Sequence, residues 1–157
     1  MNGRKMCKLF PGDFDMKTSK ELLSSLLKTT QMGQVGIRSV LDTAMQPGLR
    51  RALTDQLKEY ESIETEAHTI AHQRGWEVPE LDPAVRFMAD RMTRMKLTGR
   101  HSDSKIAAMM VQGNTRGMIK GLKNLHQLER RDERLQILTQ KLLDCEDANI
   151  RQMHQFL

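Results

Sequence analysis

Two helical patterns in this chain of 157 residues each carry a similar pair of polar residues on a face that is otherwise apolar. In each, a glutamate is followed three residues later by a small polar residue, and two further helical stretches each contain a glutamine. Side chains three residues apart share one side of a helix, so four such helices would direct polar groups into one interior. Metal sites in four-helix bundles are built in this way. The six candidate metal positions are Gln31, Glu59, Ser62, Gln112, Glu146 and Asn149.

Four long helices and one short helix must position these residues. Thr18 and Glu21 form a predicted capping box at the start of the first helix. Apolar spacing and breaker residues predict helices over residues 18–45, 49–74, 83–97, 102–127 and 130–155. Short links join the first pair and the last pair of long helices, whereas residues 76–102 make a long link that contains the short helix. This connection pattern is typical of a bundle with one crossover.

The apolar spacing also predicts which face of each helix is buried. Glu59 falls on the inward stripe of the second long helix, and Gln112 and Ile119 fall on that of the third. Glu146 and Asn149 fall on the inward stripe of the last helix. We therefore expect a buried polar layer, in which Glu59 and Glu146 share a proton or titrate with a raised pKa.

Small residues and methionines add two packing predictions. Gly113 and Gly117 have the spacing that lets helices approach closely, and we expect them to pack against Gly33 and Gly36 of the first helix. Three methionines of the short helix follow a helical stripe, which favours core filling. They are Met88, Met92 and Met95.

Composition limits the class of protein. Residues 1–17 lack periodicity and are predicted to be a flexible tail, which leaves 18–157 as one bundle domain. No apolar run approaches the roughly 18 residues of a membrane helix, and the N-terminus lacks the apolar core of a secretory signal. Cys7 and Cys145 are too few for a disulfide scaffold. We expect a cytoplasmic protein with no membrane partner.

The charge distribution is uneven. The net charge is +5, and the positive charge is concentrated in residues 86–134, whereas residues 41–85 are acidic. A basic region can attract nucleic acid or another anionic partner. The basic residues are spread out and have no aromatic stacking platform between them, which favours an ordinary solvated surface.

The long helices form an approximate internal repeat, and the repeat carries a family resemblance. Aligning Gln31 with Gln112, and Ile63 with Ile150, places Glu59 on Glu146. Over about residues 18–155 the chain resembles the ferritin-like superfamily, in particular its rubrerythrin-type bundles. The resemblance implies an all-α, antiparallel four-helix bundle with two iron or manganese ions between the helix pairs.

Only part of the family's ligand pattern is present in this chain. Glu59 and Glu146 match the glutamates of its two Glu-x-x-His motifs. The other four ligands are replaced by amides and a hydroxyl, at Gln31, Ser62, Gln112 and Asn149. The chain also resembles small bacterial proteins of unknown function that share this bundle and have glutamine at the first and third ligand positions.

These replacements change what the site can bind. Two divalent ions bring four positive charges, and two carboxylates compensate only half of them. Neutral amide oxygens are weak ligands for iron. We therefore expect a lost or remodelled di-metal site, no cofactor and no catalytic residue.

The expected function is that of a ferritin-like bundle with a non-enzymatic binding or structural role. The partner is unknown, and a homodimer is left open. One alternative is a redox protein that binds iron or manganese at the remaining carboxylates. The other is a module that binds nucleic acid or another anionic partner through the basic residues 86–134.

Overall fold

The structure, a computed structural model, describes residues 16–97 and 102–157. Within these ranges the chain forms five α-helices and no strand, which confirms the all-α prediction. A short 3-10 turn, His154–Phe156, follows the last helix. The helices are α1 (Ser19–Leu41), α2 (Pro47–Gln73), α3 (Pro83–Lys96), α4 (Asp103–Gln127) and α5 (Glu133–Met153).

The predicted tail is described only at its end. Residues 1–15, and with them Cys7, lie outside the described residues. Lys17 forms backbone hydrogen bonds with Gln127 (2.6 Å) and Glu129 (2.9 Å), just beyond the end of α4. The next residue begins the predicted capping box, which is confirmed: the Thr18 hydroxyl accepts from the Glu21 amide, and the Glu21 carboxylate accepts from the Thr18 amide. Both bonds satisfy amides that have no partner inside α1.

The four long helices pack in pairs. α1 packs against α2 and α4, and α5 packs against the same two helices. Side-chain pairs run in opposite order along α1 and α2, where Gln31 bonds Glu64 and Arg38 bonds Glu61. The helices of this pair therefore run in opposite directions.

Two carboxylates tie the helix ends together. Asp103, at the start of α4, accepts from the backbone amides of Met45 (2.9 Å) and Gln46 (2.8 Å) in the α1–α2 link. Asp132 caps α5 and binds Arg74, the residue that follows α2. The carboxylates thereby satisfy backbone amides while fixing the relative position of the helices.

The crossover segment lies along α1. The Leu81 amide donates to Oε1 of Gln31 (2.8 Å), and the Ser39 hydroxyl donates to Asp90 of α3. α3 therefore runs in the same direction as α1. Met88 and Met92 of α3 are about half exposed, at 55% and 54%, so the expectation that they fill the core was wrong.

The buried faces of α2 and α4 differ from the predicted ones. On α2, Tyr60 is buried, and its neighbour Glu59 is exposed. On α4, Ile119 is 50% exposed, while small and polar residues make up most of the buried face. Its members include Ala107, Asn114, Gly117, Gly121 and Asn124. Small residues are needed there because neighbouring side chains lie directly against the α4 backbone.

The core itself is aliphatic and comes from all four long helices. Its fully buried members include Leu27, Leu53, Ile63, Ile106 and Leu138. On α5, the predicted inward stripe is buried as expected, including Glu146 and Asn149. Along residues 16–97 and 102–157, no helix combines the length and apolar character needed to cross a membrane.

Candidate binding site

A buried polar layer joins α2, α4 and α5. Tyr60 is the central residue, and its hydroxyl oxygen lies 2.9 Å from Oδ1 of Asn114 and 2.9 Å from Oε2 of Glu146. Nδ2 of Asn149 donates to the same Asn114 oxygen at 3.2 Å. All four side chains are at most 5% exposed. The layer is therefore buried and held together by hydrogen bonds between its own side chains.

Each hydrogen bond of this layer needs one proton, and this requirement indicates whether Glu146 is ionised. Nδ2 of Asn114 donates to the Met110 carbonyl (2.7 Å), so Oδ1 of Asn114 must be an acceptor toward Tyr60. The single phenolic proton can then bond either Asn114 or Glu146, but not both. If Glu146 is protonated, its O–H donates to Tyr60, which donates to Asn114, and every contact holds one proton. The neutral acid is therefore the form that satisfies the layer.

The electrostatics favour the same form. Burial raises the pKa of Glu146 to about 8, and the hydrogen bond from Tyr60 offsets this only in part. Burial and the Glu146 charge together raise the pKa of Tyr60 well above its usual range. Among the described residues, Glu146 forms no ion pair with a basic side chain. A carboxyl group without a cation partner in an apolar interior is more stable when protonated.

Two glycines make room for the layer. A Cβ at Gly33 of α1 would lie 2.7 Å from the Tyr60 ring, and one at Gly117 of α4 would lie 2.8 Å from the carboxyl carbon of Glu146. Any larger residue would force the side chain or the helix to move. Gly33 and Gly117 therefore let α1 and α4 contact the layer directly. The predicted packing of Gly113 and Gly117 against Gly33 and Gly36 was wrong, because Gly33 packs against Tyr60, Gly117 packs against Glu146, and Gly36 and Gly113 have no neighbour within 4 Å of a Cβ.

A groove lies above this layer, between α1, α3 and α4. Its volume is about 470 Å³, and Tyr60 and Glu146 contribute to its lining from below. Gly36 and Gly113 also line the groove, and a Cβ at either position would meet no atom within 4 Å. The side chains of the walls are mostly aliphatic or thioether groups. They include Met32, Val35, Val40, Leu81, Met92 and Met109.

Basic side chains line the rim of the groove. Lys28 of α1 and Lys120 of α4 lie near each other, Arg116 is one helical turn from Lys120, and Lys96 comes from α3. The pKa of Lys120 is lowered by partial burial and by the ammonium groups of Lys17 and Lys28. The groove therefore combines an apolar interior, a neutral acid at its base and a positive rim.

The six sequence-predicted positions do not form one cluster. Glu146 and Asn149 lie in the polar layer, as expected. Glu59, Ser62 and Gln112 are exposed, so the prediction that they share a buried layer with Glu146 was wrong. Gln112 lies at the groove, which Tyr60 and Glu146 also line.

Gln31 is buried but belongs to a different set of contacts. Its amide donates to Oε1 of Glu64 (2.9 Å), its oxygen accepts from the Leu81 amide, and Gln34 also donates to Glu64. The two amide hydrogen bonds lower the pKa of Glu64 against its partial burial. Gln31 thus fixes the crossover segment against α1 and α2.

Tyr60 and Asn114 were not among the predicted site residues. Tyr60 is four residues after Gln56 and three before Ile63, so the apolar spacing of α2 admits Tyr60 as readily as Glu59. Asn114 precedes Gly117 by three residues and follows Met110 by four, which is the spacing of the small-residue face of α4. The glycine pattern was the signal that could have identified this face.

The donors of the layer do not fit the di-metal site that the family resemblance implies. One carboxyl group, a phenol and two amides cannot compensate two divalent ions, and the carboxyl group is held in its neutral form. In the described part of the chain, no three histidine, cysteine or acidic side chains form a group that could hold a metal ion. Comparisons with protein-family models, curated proteins and solved structures found no match to this chain.

Proposed function

We propose that the protein is a non-enzymatic binding protein, and that its groove between α1, α3 and α4 takes a small molecule with an aliphatic body. The observation that carries the proposal is the groove itself, with a volume of about 470 Å³ and mainly apolar walls. Ligand pockets commonly have volumes of roughly 300–1,000 Å³ and mostly apolar linings with a few polar groups. The methionines of the walls are flexible and can adapt to an elongated apolar ligand.

We further propose that α1, α2, α4 and α5 form an antiparallel, ferritin-like bundle whose di-metal site has become the hydrogen-bonded layer of Tyr60, Asn114, Glu146 and Asn149. The packing of α1 and α5 against both α2 and α4 supports this arrangement. The neutral state of Glu146 supports a structural role for the layer, because its hydrogen bonds are used within the protein. In this proposal, the layer forms the base of the groove and no cofactor is needed.

Binding of a neutral apolar dye, Nile red, tests the groove. We expect saturable binding to the full chain, with an increase in dye fluorescence. Gly36→Leu and Gly113→Leu should each weaken binding by about tenfold or more, because the new side chain enters the groove and removes ligand contacts worth at least 1.4 kcal/mol.

Gly36→Ala and Gly113→Ala are the matched controls, since a methyl group at either position meets open space. They should bind the dye nearly as well as the wild type. Circular dichroism confirms that all four variants are folded. The absence of saturable binding, or full binding by folded leucine variants, would rule out the groove as the ligand site.

A further inference from the structure

We infer that the ligand of this groove is an aliphatic molecule with an anionic head group, and that the head group binds at the basic end formed by Lys28, Arg116 and Lys120. This inference rests on the function proposed above and specifies the class of ligand. The basic end is defined here as these three side chains. The groove's apolar walls would hold the aliphatic chain.

The first support is the arrangement of charge. Some basic side chains of this protein are paired with carboxylates, as in Lys141 with Glu66 (3.1 Å) and Arg38 with Glu61 (2.8 Å). Within residues 16–97 and 102–157, none of the three cations of the basic end has such a partner. Cations that face one another without a counter-charge repel, and a bound anion relieves this repulsion.

The second support is the effect that these cations have on one another. Lys120 lies near enough to Lys17 and Lys28 for their charges to lower its pKa, and its partial burial acts in the same direction. Lys17 is anchored by a hydrogen bond to Oδ1 of Asn124 (2.6 Å). The ammonium group of Lys17 is therefore held near Lys120 and adds to the positive charge at this end of the groove.

The third support is the polarity along the groove. Along α1 the lining extends from Lys28 to Val40, a distance of about 18 Å at the rise of an α-helix. The far end has Val40 of α1 and Met109 of α4. Asp90 of α3 accepts from Ser39 of α1, and Lys96 follows Asp90 along α3, so Lys96 lies toward this far end. Lys96 is the one basic residue of the lining there, whereas the basic end has three.

The base of the groove is compatible with an anion. An ionised Glu146 would repel an anionic ligand, but the hydrogen bonds of Tyr60 are satisfied when Glu146 is neutral. The combined arrangement has three cations at one end, an apolar channel and a neutral acid below. A fatty-acid carboxylate and an alkyl phosphate share the chemistry that these features recognise.

A set of ligands with one chain and different head groups tests the inference. Dodecanol, dodecanoate and dodecyl phosphate are titrated against the Nile red complex of the full chain, below their micelle-forming concentrations. We expect both anions to displace the dye at concentrations roughly tenfold or more below that of dodecanol. The relative affinities of carboxylate and phosphate identify the preferred head group.

Matched charge variants locate the head-group site. In the double variant Lys28→Gln and Lys120→Gln, both anions should lose their advantage of about tenfold over dodecanol. The control is Lys105→Gln with Lys123→Gln, which removes the same charge from exposed positions outside the groove lining. The control should retain the preference for anions.

Each result separates this inference from the proposed function. If dodecanol and the dye bind but the anions have no advantage, the inference is wrong and the apolar site stands. An anion preference that survives in the Lys28 and Lys120 variant also overturns it. If neither dodecanol nor the dye binds, the proposed function fails.

Discussion

The carboxyl group of Glu146 lies directly against the backbone of Gly117, so that a Cβ at position 117 would stand 2.8 Å from the carboxyl carbon. On its other side, the carboxyl group meets the hydroxyl of Tyr60 at 2.9 Å. Glu146 is thus confined between the α4 backbone and the only tyrosine of the chain. Its position depends on the absence of a side chain at 117, and its neutral form is the one that satisfies the hydrogen bonds of Tyr60.

We predict opposite effects for alanine at two glycines of α4. Gly117→Ala should lower the free energy of unfolding by about 1–3 kcal/mol, because the methyl group overlaps the Glu146 carboxyl group. Gly113→Ala should raise it by up to about 1 kcal/mol, since alanine favours the helix and the methyl group meets no neighbour. Urea denaturation followed by circular dichroism measures both.

Comparison of the two variants removes the contribution of helix propensity, which is the same at both positions. Gly36→Ala on α1 provides a second open position and should behave like Gly113→Ala. Equal stability changes at positions 113 and 117 would show that α4 does not press against Glu146.

Glu146 should make the stability of the protein depend on pH. Its pKa rises from 4.5 in the unfolded chain to about 8 in the folded protein. Between these values the folded state binds more protons, so the free energy of unfolding should fall as the pH rises from about 4.5 to 8. The contribution is fully present below the lower value and is lost above the higher one.

Glu146→Gln isolates this effect because glutamine has the shape of the neutral acid and can donate to Tyr60. The variant should be at least as stable as the wild type near pH 8, and its stability should decrease less between pH 4.5 and 8. Equilibrium denaturation at several pH values gives the difference, with a total of a few kcal/mol at about 1.36 kcal/mol for each unit of pKa shift. Parallel pH profiles would show that Glu146 is ionised throughout.

Tyr60→Phe tests the hydrogen bond between Tyr60 and Glu146. Asn114 would keep its bond from Asn149, but Glu146 would lose its partner, at a cost of about 1–2 kcal/mol in the free energy of unfolding. When Glu146 is ionised, the Tyr60 hydroxyl can donate to the carboxylate, and this bond lowers the pKa of Glu146, so its removal should raise that pKa further. Carboxyl-selective infrared or NMR titration measures the change, and a lowered pKa would show that the hydroxyl stabilises the neutral acid more than the carboxylate.

The sequence predicted the inward face of α5 correctly and that of α4 incorrectly. On α5, Leu135, Leu138 and Leu142 make one apolar stripe, and no other face competes with it. On α4, Ile119 and Leu122 are exposed, and the buried face in the same part of the helix carries Gly117 and Gly121. α4 buries its small residues because neighbouring side chains leave no room there for larger ones. A hydrophobic pattern in the sequence does not record this limit on side-chain size.

On α2, the sequence-based prediction of the polar layer was wrong by one residue, because it placed Glu59 in the layer instead of Tyr60. Glu59 and Tyr60 are about 100° apart around α2, and both agree with the spacing of the neighbouring apolar residues. Tyr60 is buried because its ring fills the space left by Gly33, and its hydroxyl reaches Glu146. These are contacts between helices distant in the sequence, so the local pattern could predict a polar layer but not its members.

The junction between α2 and α5 yields a prediction that can be followed with the single tryptophan of the chain. Arg74 donates two hydrogen bonds to Asp132, at 2.6 and 3.0 Å, and its guanidinium lies 4.9 Å from the centre of the Trp76 ring. These bonds help to lower the pKa of Asp132 to about 2. Above the unfolded value of 3.8, the ionised carboxylate therefore stabilises the fold, and this contribution is lost as the pH falls from 3.8 through about 2.

Asp132→Asn should lower the free energy of unfolding at pH 7 by about 1.5–3 kcal/mol, because it removes the charge that binds Arg74. Asparagine is itself a good N-cap residue, so the cap on Leu135 is retained, whereas Asp132→Ala loses both interactions and should cost about 1 kcal/mol more. Denaturant unfolding measures these losses, and Trp76 emission should shift in both variants as Arg74 is released from its fixed position over the ring. Unchanged emission together with unchanged stability in Asp132→Asn would mean that the ion pair does not hold α2 against α5, and that Asp132 acts only as the cap of α5.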